Sequence, residues 1–530
     1  MYLNVFLRLL AVLALCSLFY LSPAAWSQGQ NASNQVNVKD YGAAGDGSKD
    51  DTLAISNAIN SPLPPGSAVL NVYFPPGTYR LSGAVALKSN VRLFGNGDSS
   101  VISQGAGLSI FHAAGTPTSP ASNIVVENLS FKGVGGFQSS YGLSVTCGRN
   151  ITFKNNSANT IPLFSIACGA TSDDSLLSSS VLVTDNRGTG ILGEGAAIML
   201  QFVADAIVSN NILSNYDHGI QYWGGDSAKG DTYGGVKRIT IAANKVQNVV
   251  GGAIWGSEGS RIFITGNIAD NCGDVCLDAE ASSEVTISGN TVQNAVNGGI
   301  ATFFGSTGVI ISSNTVIQEA TYQKPASHPN SSYAAVHIHG GNRPSNHVTQ
   351  NVQIFDNTLN VAGVSWAITT DQGALGDSTI RSNVIASSSP SSAPIRILGG
   401  SNVDILTNRI SGAAPVGVSI EGPSRSSILN NVIAYTGASR VLDTSKGGIH
   451  IYWRSAAEPA QYNQIKGNTI TGYPISINDD CWGDNSSFNV IDNNLVDTVF
   501  HRGSGAAYKG VIANNHSNSN ASAPVGGIGY

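Results

Sequence analysis

A short β-branched run ending in asparagine recurs down almost the whole chain, and this repeat constrains the fold more than any other feature of the sequence. Its clearest copies are Ile239-Thr240-Ile241 to Asn244, Ile262-Phe263-Ile264 to Asn267, Val285-Thr286-Ile287 to Asn290, and Val309-Ile310-Ile311 to Asn314. The four asparagines lie 23, 23 and 24 residues apart. Weaker copies put Asn96, Asn128, Asn156, Asn186, Asn211, Asn357, Asn383, Asn408, Asn431, Asn468, Asn494 and Asn515 in the same role, sixteen rungs in all. Alternating Val, Ile and Thr without a helical period signals strands. A period near 23 is half what a β-propeller blade needs, and it suits one coil of a parallel β-helix. In such a stack each side-chain amide meets its equivalent about 4.8 Å away, so the asparagines satisfy bends rather than perform chemistry. The expected fold is therefore all-β, a single-stranded parallel β-helix or solenoid.

A solenoid of this length must bury a large core, and the composition agrees: 42% of the 530 residues are hydrophobic and only 11% charged, which excludes a disordered chain. The net charge of −6, from 27 Lys and Arg against 33 Asp and Glu, argues against a nucleic-acid partner. At the amino end, Arg8, the apolar run Leu9 to Leu21 and the small residues around Ala25-Trp26-Ser27 read as a secretory signal over residues 1–27. No later stretch is long and apolar enough to cross a bilayer, so a secreted or periplasmic protein with no membrane association after signal removal is expected. The anticipated organisation is 28–102 as an amino-terminal cap with the first coils, 103–515 as the β-helix and 516–530 as a tail. Cys147 with Cys168 and Cys272 with Cys276 are candidate bridges, Cys481 is left over, and no spacing matches a zinc site.

The first coil of a solenoid exposes unpaired backbone and an open core end, so a short amphipathic helix there serves as a cap. Leu53 to Asn60 is helix-like, and Asp46, Asp50 and Asp51 before it read as turn and helix-start residues. The succession Asn37-Val38-Lys39-Asp40-Tyr41-Gly42-Ala43-Ala44-Gly45-Asp46-Gly47, Asp50-Asp51-Thr52, Phe74-Pro75-Pro76-Gly77-Thr78-Tyr79 and Leu93-Phe94-Gly95-Asn96-Gly97 resembles the opening of the pectate lyase superfamily. The branch it resembles holds right-handed β-helix proteins that are rhamnogalacturonase-like and epimerase-like. The resemblance covers residues 37 to 102 and, through the asparagine repeat, extends to about residue 515. It implies an extracellular protein acting on polysaccharide. The polygalacturonase series of motifs is absent, with Arg396-Ile397-Leu398 a partial echo. The segment Cys272 to Glu280 is loosely similar to an acidic stretch of inulin fructotransferase-like enzymes.

Side chains alternate along a strand, so the outward positions of successive coils form rows. Aligning the inward residues Ile220, Ile254, Leu277, Ile300, Val336, Ile368, Ile395, Val418 and Ile449 places two outward positions per coil on one sheet. These read Gln221 and Trp223; Trp255 and Ser257; Asp278 and Glu280; Ala301 and Phe303; His337 and His339; Thr369 and Asp371; Arg396 and Leu398; Ser419 and Glu421; His450 and Tyr452. Carboxylates, imidazoles and aromatic rings thus gather on one face of a chain otherwise rich in Ser, Thr, Asn and Gly. Long excursions beside it, Tyr216 to Gly235, Glu319 to His347 and Tyr435 to Gln461, would wall the groove and supply Asp217, His218, Tyr222, Asp226, Arg343, Trp453 and Arg454.

A carboxylate pair suggests glycoside hydrolysis, with Glu280 as the acid and Asp278 as base or nucleophile. His337 and Asp371 would hold geometry and tune protonation. Trp223, Trp255, Phe303, His339, Arg343, Arg396 and Tyr452 are the expected substrate contacts. The competing class is a lyase, in which His337 or His339 removes the proton beside a uronate carboxylate that Arg343 and Arg396 neutralise. No metal site and no cofactor are expected, Ca²⁺ entering only with the lyase. The third class is non-enzymatic: a glycan-binding β-helix, a surface adhesin or a spike-like homotrimer. A polysaccharide or oligosaccharide is the expected partner in each.

Overall fold

The computed structural model describes residues 35–105, 107–136, 140–226, 234–319, 333–339, 349–363, 365–371, 375–438, 442–453, 460–481, 488–501, 509–518 and 526–529. The signal reading over residues 1–27 lies outside them. Three parallel sheets of 18, 16 and 17 strands run the length of the molecule. Each coil contributes one strand to each sheet. Gly259–Thr265 lies in the first, Ile268–Cys272 in the second and Val275–Glu280 in the third, after which the chain re-enters the first sheet at Ser283–Ser288. Neighbouring coils stack in register, with Ile262 opposite Val285, Ala269 opposite Val292 and Leu277 opposite Ile300, all of them buried. The expected parallel β-helix is the fold observed, and no described helix is long and apolar enough to cross a membrane.

The asparagines at the bend between first and second sheets form one continuous ladder from Asn156 to Asn515. The backbone N–H of Asn267 donates to Asn290 Oδ1 at 2.8 Å, and its Nδ2 donates both to that oxygen at 3.0 Å and to the Ile241 carbonyl of the preceding coil at 2.9 Å. The residue before each rung adopts a left-handed φ, as at Asn155 (52°), Ala243 (55°) and Gly467 (66°). Two expected rungs fall elsewhere. Asn128 is itself the left-handed residue (φ 55°), with Leu129 at the rung position and its N–H on Asn156 Oδ1. Asn96 accepts from the Tyr73 hydroxyl at 2.7 Å. The 43-residue step from Asn314 to Asn357 is one coil carrying an insertion, because Asn314 N–H donates to Asn357 Oδ1 at 2.9 Å.

A second polar line, not anticipated from the sequence, occupies the bend between third and first sheets. There Gly259 N–H donates to Ser282 Oγ and Ser282 N–H to Ser306 Oγ; further along, Ser426 N–H donates to Asn463 Oδ1 and Asn463 N–H to Asn489 Oδ1. Inside the amino-terminal coils, Phe74, Phe111, Phe131, Phe153 and Phe164 follow one another with ring centroids 5.7 to 6.2 Å apart. Near the carboxyl end the interior turns polar: Asp479 is fully buried, receives the Asn489 amide on both oxygens at 3.2 Å and is in register with His501.

The cap is the helix Thr52–Ile59, which buries Ile55, Ala58 and Ile59. Buried Asp51 receives the N–H groups of Ala44 and Gly45 at 2.7 and 3.0 Å, Asp50 receives Thr52 and Ser82, and Asp46 receives Ser48 and Lys49, so all three do turn work. Cys147–Cys168 and Cys272–Cys276 are disulfides, and Cys481 is a buried thiol. Beyond residue 516 the tail returns a strand, Gly527–Gly529, that pairs with Val499–His501.

Asn290→Ala removes the acceptor of the Asn267 N–H and amide groups in a dry interior, so a loss of about 1–3 kcal/mol is expected. Asn271→Gly, at an exposed position whose left-handed φ of 57° glycine adopts freely and where Asn271 donates to Asn248 at 2.8 Å, is expected to stay within about 0.5 kcal/mol of wild type. Urea midpoints of the two variants compared with wild type measure the difference.

Candidate active site

The third sheet carries the outward rows. Ile220, Ile254, Leu277, Ile300, Val336, Ile368, Ile395, Val418 and Ile449 are successive in-register partners, and all are buried. Strand alternation then gives one row through Asp278, Ala301, His337, Thr369 and Arg396. A second row runs through Trp223, Ser257, Glu280 and Phe303. His339 is paired with Asp371 in the following coils, and the Asp371 side chain lies outside the described residues. Arg343 and Arg454 lie outside them altogether.

Asp278 departs from its neighbours. Alternation turns it away from the core, yet it is 3% exposed, and its Oδ1 has no hydrogen-bond partner among the described residues. Burial, followed by the negative charges of Glu280 and Asp274, raises its pKa well above the usual carboxylate range, against the opposing pull of the Ala279 N–H. Its surroundings thereby favour the protonated carboxyl over the carboxylate. Trp255, one coil earlier in the same row, sends its indole N–H to Glu280 Oε1 at 3.3 Å, bridging from the row of Asp278 to that of Glu280. Beneath them the buried Tyr222 reaches two coils along, its hydroxyl donating to the Asp278 carbonyl at 3.4 Å. Gly256 makes that reach feasible, since a Cβ there would lie 1.8 Å from the Tyr222 ring.

Flanking groups complete the cluster. On one side Asp217 accepts from His218 Nδ1 at 2.9 Å, an interaction that lowers the Asp217 pKa, and the His218 ring lies 5.8 Å from Trp255. Asp274 receives the Asn297 amide at 2.6 Å. On the other side, Phe303 is 5.6 Å from His337 and 5.4 Å from His339, with Phe304 6.1 Å from His339. Asp278, Glu280, Trp255, Phe303, His337 and His339 are therefore brought together over four successive coils of one face.

The remaining expected contacts sit apart. Trp223 packs edge-on against Phe202 at 5.3 Å in a small apolar cluster with Leu177 and Ala204, two coils from Glu280. Arg396, four coils from Asp278 and so about 19 Å along the axis, is forked onto Glu421 at 2.9 and 3.1 Å and lies 5.7 Å above Trp366. Burial opposes ionisation of Glu421, but Arg396 prevails and holds it below the usual range. Tyr452 is 41% exposed beside His450, whose Nε2 is 3.7 Å from Asp480. Sequence reasoning passed over Asp274, Phe304 and Trp366. Each is near a strand end, outside the two positions per coil that the alternation rule samples. Among the described residues no group of three or more His, Cys, Asp or Glu side chains is arranged to hold a metal ion.

Known proteins share these features to different extents. The sequence model of the family described as rhamnogalacturonase A/epimerase, pectate lyase-like, matches residues 35–322. The chain is 47% identical over 68 residues to mannuronan C5-epimerase AlgE3 of Azotobacter vinelandii, covering 12% of this chain and 4% of that protein. It is 50% identical over 58 residues to plasmin and fibronectin-binding protein A of Streptococcus pneumoniae, covering 11% and 8%. These matches thus span under a tenth of either relative's length. Among solved structures, the A-module of mannuronan C-5 epimerase AlgE6 of Azotobacter vinelandii superposes with a TM-score of 0.52 at 15% identity, over 83% of this chain and 100% of that one, a likeness of fold.

A carboxyl whose folded-state pKa is raised contributes to stability while it is protonated, and that contribution is lost as pH rises through the folded value. Asp278→Asn keeps the shape and cannot ionise. It is expected to stabilise the protein by on the order of 1 kcal/mol or more near pH 7–8, and to give no gain near pH 3, where Asp is protonated folded and unfolded alike. Calorimetric melting across that range tests it, and an equal effect at both ends contradicts the raised Asp278 pKa.

Proposed function

Since the chain belongs to the rhamnogalacturonase A/epimerase, pectate lyase-like family, we propose that it is a carbohydrate-active enzyme that cleaves glycosidic bonds of a polysaccharide by hydrolysis or transglycosylation. The observation that carries this reading is the pair of unequal carboxyls on one strand: Asp278 buried, its pKa pushed up by that burial and by Glu280, and Glu280 anchored by the Trp255 indole. A carboxyl whose surroundings disfavour ionisation suits a proton donor. The roles run opposite to the assignment made from sequence. Asp278 is the proton donor, and Glu280 is the base or nucleophile.

In the proposed reaction the Asp278 carboxyl gives its proton to the glycosidic oxygen as the C–O bond breaks. Glu280 takes a proton from the attacking water, or forms the glycosyl ester that water or a sugar hydroxyl then resolves. Trp255 and Phe303 offer ring faces to the sugars, and His337 and His339 flank the groove. Neutral or sparsely charged glycans are the favoured substrates, because the Arg396 guanidinium is already forked onto Glu421. The reading of residues 1–27 as a secretory signal supports an activity outside the cytoplasm.

A second reading draws on His337 and His339 beside Phe303, and on the similarity to mannuronan C5-epimerases. There an imidazole removes the proton next to a uronate carboxylate.

Incubation with a panel of neutral and uronate polysaccharides, followed by reducing-end release and by ultraviolet absorbance of unsaturated product, separates the readings. Hydrolysis predicts new reducing ends without absorbance. Asp278→Asn and Glu280→Gln should each lower turnover by about two to four orders of magnitude while glycan binding persists. Near-normal activity in both variants, with unsaturated or epimerised product lost in His337→Ala or His339→Ala, replaces the hydrolase by the second reading. Binding without any turnover supports the adhesin class.

A further inference from the structure

We propose that the corner between the second and third sheets, far from the carboxylate pair, holds a second carbohydrate-binding site that takes a short stretch of neutral glycan. The corner segments of four successive coils meet there, after the strands Val384–Ser387, Arg409–Gly412, Val432–Tyr435 and Thr469–Thr471. They enclose a cavity of about 410 Å³ lined by Pro390, Pro415, Pro474, Tyr435, Asp443 and Lys446, among others. The four corners that line it span three coil spacings, about 14 Å along the axis. It opens beside the strand Gly447–Tyr452, whose outward His450 lies six coils from Asp278, about 29 Å along the axis.

Its chemistry selects the occupant. The proline rings carry no N–H and present C–H surface. Tyr435 adds an aromatic wall, braced by Tyr473 at 5.1 Å. Gly437 leaves room for that ring, because a Cβ there would lie 2.3 Å from the Tyr435 hydroxyl. At the rim Asp443 pairs with Lys446 at 2.9 Å while the Ser445 N–H and hydroxyl fix its other oxygen at 3.0 and 2.6 Å. A fixed ion pair offers an acceptor and a donor side by side. An anion would be repelled by Asp443 and a cation by Lys446, whereas a sugar hydroxyl donates to one and accepts from the other. A pyranose joins such hydroxyls to an apolar C–H face that lies against tyrosine and proline. The choice of a sugar rests on the carbohydrate reading above; the cavity, its lining and its ion pair do not.

The test uses the full chain carrying Asp278→Asn, titrated calorimetrically with neutral oligosaccharides of two to four units: cello-, laminari-, malto-, xylo- and manno-series, with oligouronates alongside. At least one neutral series is expected to bind. Tyr435→Ala and, independently on the exposed rim, Lys446→Ala should each weaken that binding about tenfold or more, and Tyr435→Phe should retain it within about threefold. Unchanged melting temperatures establish that the variants fold. Absence of neutral-oligosaccharide binding, binding indifferent to both Tyr435→Ala and Lys446→Ala, or preference for oligouronates at the Tyr435-dependent site overturns the proposal. Wild-type turnover is measured in parallel. Turnover without Tyr435-dependent binding refutes this site alone, and Tyr435-dependent binding without turnover refutes the hydrolase alone.

Discussion

Every coil is fixed to the next by amide hydrogen bonds that run along the axis, and the buried asparagine line is where this constraint is strictest. A buried amide left unpaired costs on the order of 1–3 kcal/mol, so a rung tolerates only the register in which its oxygen meets both donors of its neighbour. Once that register is set, the Val and Ile of all three sheets stack like upon like, and the outward positions stack with them. The row holding Asp278 and Glu280 is thus a consequence of bends on a different edge of the solenoid. The same constraint leaves the other corners free to vary in length, which is why the 43-residue step from Asn314 to Asn357 and the proline-rich corner near Tyr435 leave the stacking undisturbed.

Rigid rows let environment, rather than residue type, assign chemical roles. Asp278 and Glu280 lie two residues apart on one strand with the same carboxyl group, yet one is enclosed with an oxygen that has no hydrogen-bond partner among the described residues and the other is held by an indole N–H. Nothing in the local sequence Leu277-Asp278-Ala279-Glu280 distinguishes them. The difference arises from what other coils place nearby: Trp255 one coil before, Ala301 one coil after, and Asp274 at the strand's start.

That distinction marks the boundary of what the sequence reveals. Period and alternation are local properties, so the fold, the nine-residue inward column and both disulfide pairs were legible, as was the structural role of most asparagines. Asn96 and Asn128 were not, because whether an asparagine supplies the rung or the left-handed residue before it depends on a shift of one position that only the stacked coil decides. The serine line at the bend between third and first sheets escaped notice for a related reason: serine is common throughout the chain and shows no period of its own. Burial of Asp278, the withdrawal of Trp223 against Phe202 and the capture of Arg396 by Glu421 are contacts between coils, invisible to a rule that reads one strand at a time.

The interior changes character from end to end. Five phenylalanines follow one another through the early coils beneath a sealing helix, whereas the late coils enclose Asp479, Asn489 and His501. In a solenoid each coil leans only on its neighbours, so local stability is set coil by coil. Such a gradient makes the molecule polar in the mechanical sense: pulled or chemically loosened, it would unravel from the carboxyl end as a zipper opens from its slack side. The carboxylate pair, near the middle of the stack, would keep its geometry until the opening front had travelled through the coils between.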